Sequence, residues 1–154
     1  MPRVHHVKKA RKDHPDIGVK KGEPYYWWGM MHGGRGVRHK SKTYPRPQQL
    51  TQSEFRISCM DVEDMLQQLE DPENLQDIID AVQQIADECQ EKYDNLPEGL
   101  QMGSSGELQE ERRDAMEAWV SDLESYLDPE FGEGEEYEDL EAWKEAVQQC
   151  SGEY

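Results

Sequence analysis

Apolar residues recur every three or four positions along much of the chain after residue 60, which is the spacing of an amphipathic α-helix. Two long apolar stripes predict helices at about residues 74–94 and 105–127. The first stripe consists of Leu75, Ile78, Val82, Ile85 and Cys89, and the second of Leu108, Ala115, Trp119, Leu123 and Tyr126. Shorter stripes predict a helix around residues 62–69 and another at about residues 136–149. Because a short segment joins the two long helices, we expect them to form an antiparallel hairpin.

The N-terminal part has a different pattern, which indicates strands rather than helices. The run Tyr-Tyr-Trp-Trp at residues 25–28 consists of strong strand formers. The glycine-rich residues 33–36 supply the positive φ angles that a hairpin turn needs, so residues 37–44 are expected to return as a second strand. The first sixteen residues are expected to be a flexible arm. The predicted fold class is therefore mainly α, an antiparallel helical hairpin with flanking short helices plus a small N-terminal β-hairpin module.

The charge distribution divides the chain at the same place. The 154 residues include 34 acidic and 17 basic side chains, for a net charge of −17. Residues 1–50 carry twelve basic and three acidic side chains (+9), whereas residues 51–154 carry five basic and 31 acidic ones (−26). We therefore expect a basic aromatic module at residues 1–55, joined through a proline-containing segment to an acidic α-helical region at residues 56–154.

Cysteine number and hydropathy favour a cytoplasmic protein. Cys59, Cys89 and Cys150 are odd in number and far apart, which is typical of reduced thiols rather than of a disulfide framework. No apolar run approaches the 18 or more residues of a membrane span, and the basic start leads into no apolar signal region. We expect no membrane partner.

The basic module contains the combination of cations and aromatic rings that suits single-stranded nucleic acid. Lysine and arginine neutralise phosphates, and unpaired bases stack on exposed rings. The candidate binding residues for nucleic acid or a partner protein are Lys20, Lys21, Tyr25, Tyr26, Trp27, Trp28, Arg35 and Arg38. A second interpretation stays open, in which the aromatics form the only core of this module and its cations pair with the acidic helices or with a host protein.

Other chemistry has weaker support in the sequence. The module contains His5, His6, His14, His32 and His39 but no cysteine, so a structural zinc site is only weakly indicated and no metal or cofactor is expected. No phosphate-binding loop or isolated carboxylate pair indicates catalysis, and we expect a non-enzymatic protein. The acidic helices suggest an alternative function, inhibition of a host nucleic-acid enzyme by mimicry of DNA. Exposed Trp119 or Trp143 would instead favour self-association.

Several motifs resemble those of a family of small uncharacterised bacteriophage and prophage proteins. They are VKKARKD at residues 7–13, KKGEPYYWW at 20–28, PRPQQLTQS at 45–53, YDNLPEGLQ at 93–101 and GELQEER at 106–112. The similarity extends over most of the chain, up to about residue 127. Some members of that family carry cysteine pairs in the N-terminal module in the manner of a zinc ribbon, and this sequence lacks them there. The resemblance implies a host-cytoplasmic setting and an accessory role, and it implies no catalytic residue or metal ligand.

Overall fold

The computed structural model describes residues 2–32, 34–152 and 154, with the side chain of His32 left out of the description. The chain divides into two compact units, Met1–Ile57 and Ser58–Tyr154. We call them the sheet unit and the helical unit and describe each by itself. The predicted fold class, mainly α with an antiparallel helix pair and a small N-terminal sheet, is confirmed.

The sheet unit contains a three-stranded antiparallel sheet in the order β1-β2-β3. The strands are β1 (His5–Val7), β2 (Tyr25–His32) and β3 (Arg35–Ser41). Trp27 of β2 lies opposite both His5 of β1 and Lys40 of β3, which sets the register of the whole sheet. Because His32 pairs with Arg35, only two residues connect β2 to β3, and one of them, Gly34, has a φ of 82°. The other residue of the expected turn, Gly33, lies outside the described residues.

The third strand corrects the expectation of a flexible arm at residues 1–16. His5 and His6 of this segment pair with Trp27 and Tyr26, and their rings stack across the strands. The ring centroids are 4.2 Å apart for His5 and Trp27 and 4.8 Å apart for His6 and Tyr26. Such cross-strand ring pairs stabilise a sheet. The partners are 22 and 20 positions apart in the sequence, so the strand preferences of neighbouring residues do not predict these pairs.

The core of the sheet unit is small and is centred on Trp28, which is 3% exposed. The indole Nε1–H of Trp28 donates a hydrogen bond of 3.2 Å to the carbonyl oxygen of Gln49, in a short 3₁₀ helix at Pro47–Leu50. The other buried side chains of this unit are Ala10, His14, Val19, Pro45, Leu50 and Phe55. Few of them are large, so this unit depends on a single indole for much of its buried apolar area.

The two long helices follow the predicted stripes closely, but the first helix, predicted around residues 62–69, begins at Glu54, because buried Phe55 and Cys59 extend its apolar stripe towards the N-terminus. The helices are α1 (Glu54–Gln67), α2 (Leu75–Asp94), α3 (Glu98–Gln101), α4 (Ser104–Glu124) and α5 (Leu140–Gln149). Of these, α1 crosses the boundary between the two units, and the single turn α3 lies where the sequence predicted only a loop. The two long helices, α2 and α4, make the most extensive contact between elements. Among the described residues, no helix is both long enough and apolar enough to span a membrane.

The helical unit has a larger core, and both of its tryptophans belong to it. Trp119 is 1% exposed and Trp143 is fully buried. Each indole Nε1–H donates a 3.0 Å hydrogen bond to a backbone carbonyl oxygen, that of Cys150 for Trp119 and that of Tyr126 for Trp143. The expectation that one of these indoles is exposed and favours self-association is therefore wrong, because both are buried within the helical unit.

Candidate nucleic-acid interface

Strand alternation gives the sheet two faces of different character. On one face, which we call the covered face, lie His6, Tyr26, Trp28, Met30, Val37, His39 and Ser41. Its centre is buried, since Trp28 stacks on His39 with a centroid distance of 5.7 Å. The other face, the open sheet face, carries His5, Trp27, Gly29, Met31, Gly36, Arg38 and Lys40. Four of these residues, Gly29, Met31, Gly36 and Arg38, are exposed, so much of the open sheet face is accessible to solvent.

Planar groups from all three strands meet at the centre of the open sheet face. The imidazole of His5 stacks almost parallel to the Trp27 indole, at 9° and a centroid distance of 4.2 Å. The guanidinium carbon of Arg38 lies 4.9 Å from the centroid of the same indole, which is the geometry of a cation–π contact. Because β1 and β3 flank β2, the two groups approach Trp27 from opposite sides. The half-buried indole is thus held in place, and a cation lies directly beside it.

A second cluster lies at the end of this face where β2 begins. His14 is 7% exposed, and its ring lies 4.9 Å from the ring of Tyr25. The Lys40 Nζ lies 3.4 Å from His14 Nδ1 and 3.9 Å from a carboxylate oxygen of Asp16. An ammonium group can only donate, so Nδ1 of His14 is the acceptor here. Lys40 is therefore already bound within the unit, in contrast to Arg38.

The sheet unit has a large uncompensated positive charge. Residues 1–57 carry thirteen basic and four acidic side chains, for a net charge of +9. Every lysine and arginine among them is exposed except Lys40, which is half-buried. Within residues 2–32 and 34–57, Lys40 is also the one lysine or arginine with an ion pair inside the unit. Such a surface attracts polyanions through a field that salt weakens.

The predicted binding residues do not form one patch. Trp27 and Arg38 meet on the open sheet face, whereas Tyr26 lies on the covered face and Trp28 is a core residue. Because Arg35 lies an odd number of positions from Arg38 along β3, the two side chains project from opposite faces. The remaining predicted residues are more distant from the centre.

Tyr25 contacts His14 at the start of β2, and Lys20 and Lys21 are exposed in the turn before it. This turn and Arg35 lie at opposite ends of β2, about 23 Å apart at the usual rise per residue. Sequence reasoning missed His5 and Met31 as members of the open sheet face. The signal that would have included them is the two-residue period counted from Trp27, combined with a third strand.

The histidines are distributed rather than clustered. His5 and His6 project from opposite faces of the sheet, His14 accepts from Lys40, and His39 stacks on Trp28. In the part of the chain that the structure describes, no three histidine, cysteine or acidic side chains converge in an arrangement that would hold a metal ion. The side chain of His32 lies outside that description.

The thiols of Cys59 and Cys89 in the helical unit are buried, and that of Cys150 is half-buried. Cys59 is fully buried, and its Sγ lies 3.8 Å from the Met116 sulfur. Burial, with a smaller contribution from Cys89, raises the pKa of the Cys59 thiol to about 12. Burial also raises the pKa values of Cys89 and Cys150. Thiols of this kind are protonated at neutral pH and react slowly.

Comparison of the chain with models of protein families, with curated proteins and with solved structures finds no match. The resemblance to bacteriophage proteins therefore stays a prediction. Function has to be inferred from the residues of the open sheet face.

Proposed function

We propose that the sheet unit binds single-stranded nucleic acid through the open sheet face. The protein would be a non-enzymatic accessory binding protein of bacteriophage type, acting in the host cytoplasm. The helical unit would then be a scaffold or a surface for homo-oligomer formation. A host protein as the partner of the same face is the competing proposal.

The observation that supports this function best is the position of Arg38 beside Trp27. Binding of a single strand needs cations for the phosphates and π surfaces for the unpaired bases. Arg38 is such a cation, and its guanidinium plane, 4.9 Å from the Trp27 ring centroid, is a π surface on which a base can stack, on the exposed face of a unit with a net charge of +9. In a duplex the bases are stacked on each other and are unavailable to such a face, so single strands are the better ligand.

The test compares two charge reversals on the same strand. Arg38→Glu changes the open sheet face, and Arg35→Glu makes the same change in net charge on the opposite side of β3. We expect Arg38→Glu to weaken binding of a fluorescent oligonucleotide about tenfold or more at physiological salt. We expect Arg35→Glu to have a much smaller effect, because charges beyond about 8 Å are largely screened there.

Binding is measured by fluorescence anisotropy of the full chain over a salt series. A steep salt dependence in the unmodified chain, reduced in Arg38→Glu, supports phosphate contacts by that side chain. Equal losses in the two variants would mean that only the overall charge attracts nucleic acid. Absence of binding by the unmodified chain at low salt would contradict the proposal and favour a host protein partner.

A further inference from the structure

The open sheet face contains a gap at Gly29, in the middle of β2. Both Gly29 and its diagonal neighbour Gly36 are exposed. A Cβ atom built on Gly29 would meet no heavy atom within 4 Å, and one built on Gly36 would meet only the Met31 sulfur, at 3.9 Å. The space above the Gly29 backbone is therefore empty, with Trp27 and Met31 on either side of it along the strand and Arg38 opposite it on β3.

Neither glycine is needed by the backbone. The glycines with positive φ among the described residues are Gly18, Gly22, Gly34, Gly132 and Gly134, so Gly29 and Gly36 have angles that any residue adopts. No neighbouring element packs closely on Gly29 either. Glycine in the interior of a strand costs stability, and it often marks a place where a ligand approaches the backbone. Gly29 therefore lowers the stability of β2, and neither a positive φ nor close packing by a neighbouring element requires a glycine there.

The groups around the gap indicate the chemistry of its occupant. Met31 is 62% exposed and presents a polarisable thioether, a group that packs well on flat rings. The guanidinium of Arg38 is a second surface on which an unpaired base stacks, and it is also a cation for the adjoining phosphate. The gap is thus flanked by apolar and planar groups and has a positive charge at its rim.

We infer that the gap over Gly29 holds one unpaired base of a bound single strand, between the side chains of Trp27 and Met31 and within reach of Arg38. This inference rests on the proposed function, and it adds that the face reads bases and not phosphates alone. It also implies that a strand without bases binds less tightly, although it carries the same charge.

The experiment uses the full chain and two oligonucleotides of equal length, one normal and one abasic, each as a single strand. We expect the unmodified chain to bind the normal strand at least about fivefold more tightly, since one stacked base contributes about that factor or more. In Gly29→Val the added side chain fills the gap. We expect this variant to bind both strands with the affinity that the unmodified chain has for the abasic strand.

Valine is a good strand former and the position is open, so Gly29→Val is expected to fold with an unchanged or higher melting temperature. Gly29→Ala fills the gap only in part and should retain part of the base preference. Met31→Ala gives a second route should Gly29→Val fail to fold, because this exposed side chain contributes little to the core. We expect Met31→Ala to bind the normal strand more weakly and to show a smaller preference for it over the abasic strand.

The two proposals fail in different ways. Equal affinity of the unmodified chain for normal and abasic strands, or an unchanged preference in Gly29→Val and Met31→Ala, would overturn the base site. The proposed function would survive either result if Arg38→Glu still weakened binding more than Arg35→Glu. Binding of neither strand by the unmodified chain would overturn both.

Discussion

The two units use their tryptophans differently. The helical unit buries Trp119 and Trp143 and satisfies each indole Nε1–H with a backbone carbonyl. The sheet unit has two consecutive tryptophans, and only Trp28 is buried in this way. Trp27 lies on the opposite face, half-buried between His5 and Arg38. The difference follows from the period of a strand, which directs neighbouring residues to opposite faces, so that one indole is buried in the unit while the next lies on the open sheet face.

The units also differ in how much core supports them. In the helical unit, α2, α4 and α5 each contribute large buried side chains, and Leu75, Met116 and Leu123 are completely buried. The sheet unit is smaller, and small domains bury a smaller fraction of their surface. Replacement of a buried tryptophan by alanine should therefore remove a larger share of the stability of the sheet unit than of the helical unit.

The largest expected effect is that of Trp28→Ala. Removal of a buried tryptophan costs about 3–5 kcal/mol, which is comparable to the whole stability of a small unit. We expect the β2 and β3 amides to lose their protection from hydrogen exchange while those of α2 retain it. Trp27→Ala is the matched control, since loss of its half-buried indole should cost clearly less stability, while nucleic-acid binding is weakened.

The corresponding change in the other unit is Trp143→Ala. We expect a loss of about 3–5 kcal/mol that lowers protection in the helices and leaves β2 and β3 unaffected. Equal loss of protection throughout the chain in both variants would mean that the two units unfold as one cooperative body.

A smaller effect is expected at a close helix contact in the helical unit. A Cβ at Gly106 would clash with the carbonyl oxygen of Gln101, which is a backbone atom and has little freedom to move. Overpacking of this kind costs about 1–3 kcal/mol or more, against a gain of about 1 kcal/mol in helix propensity. We expect Gly106→Ala to lower the free energy of unfolding by about 2 kcal/mol in urea denaturation.

Gly99→Ala is the control for this substitution, because a Cβ at Gly99 meets nothing within 4 Å. We expect this variant to be as stable as the unmodified chain or slightly more stable. A Gly106→Ala variant as stable as Gly99→Ala would show that α3 and the start of α4 are not in close contact.

The smallest effect is on the pH dependence of stability. It should arise in the helical unit, which contains all three cysteines of the chain. Since the pKa of Cys59 is raised to about 12 in the folded chain, the folded state holds this proton more tightly than the unfolded state. The stabilisation is complete below the ordinary thiol pKa of about 8.5 and is lost as pH rises towards 12. We expect the melting temperature of the helical unit to fall between pH 9 and pH 11 by less in Cys59→Ala than in the unmodified chain. An identical fall in both would mean that other groups cause it.

Some features of this fold depend on local pattern and could be predicted from it. The stripe from Leu75 to Cys89 predicted α2 to within one residue at its start, because helical periodicity is a property of neighbouring positions. Helix α5 was predicted to begin near residue 136 but begins at Leu140. The reason is that the Asp139 carboxylate accepts from the Ala142 N–H at 2.9 Å and caps the helix there.

Candidate site residues were harder to predict, because the alternation of side chains along a strand distributes them between the two faces of the sheet. Tyr25 to Trp28 were all plausible contact residues in the sequence, and nothing local distinguishes the ring that is buried from the ring that is exposed. The Trp28 indole donates to the carbonyl oxygen of Gln49, so a segment some twenty residues away lies against this ring and helps to bury it. The role of His5 depended in the same way on β1, whose partner is far along the chain.

The helical class, the helix pair and the opposite charges of the two parts follow from the order of the amino acids alone, because periodicity and composition are local or additive properties. Tertiary contacts are responsible for the strand at residues 5–7, for the burial of one sheet face, and for the position of Trp27 between His5 and Arg38. These features depend on which strands pair and which face is covered. Such choices are made by contacts between residues distant in sequence, and no local pattern encodes them.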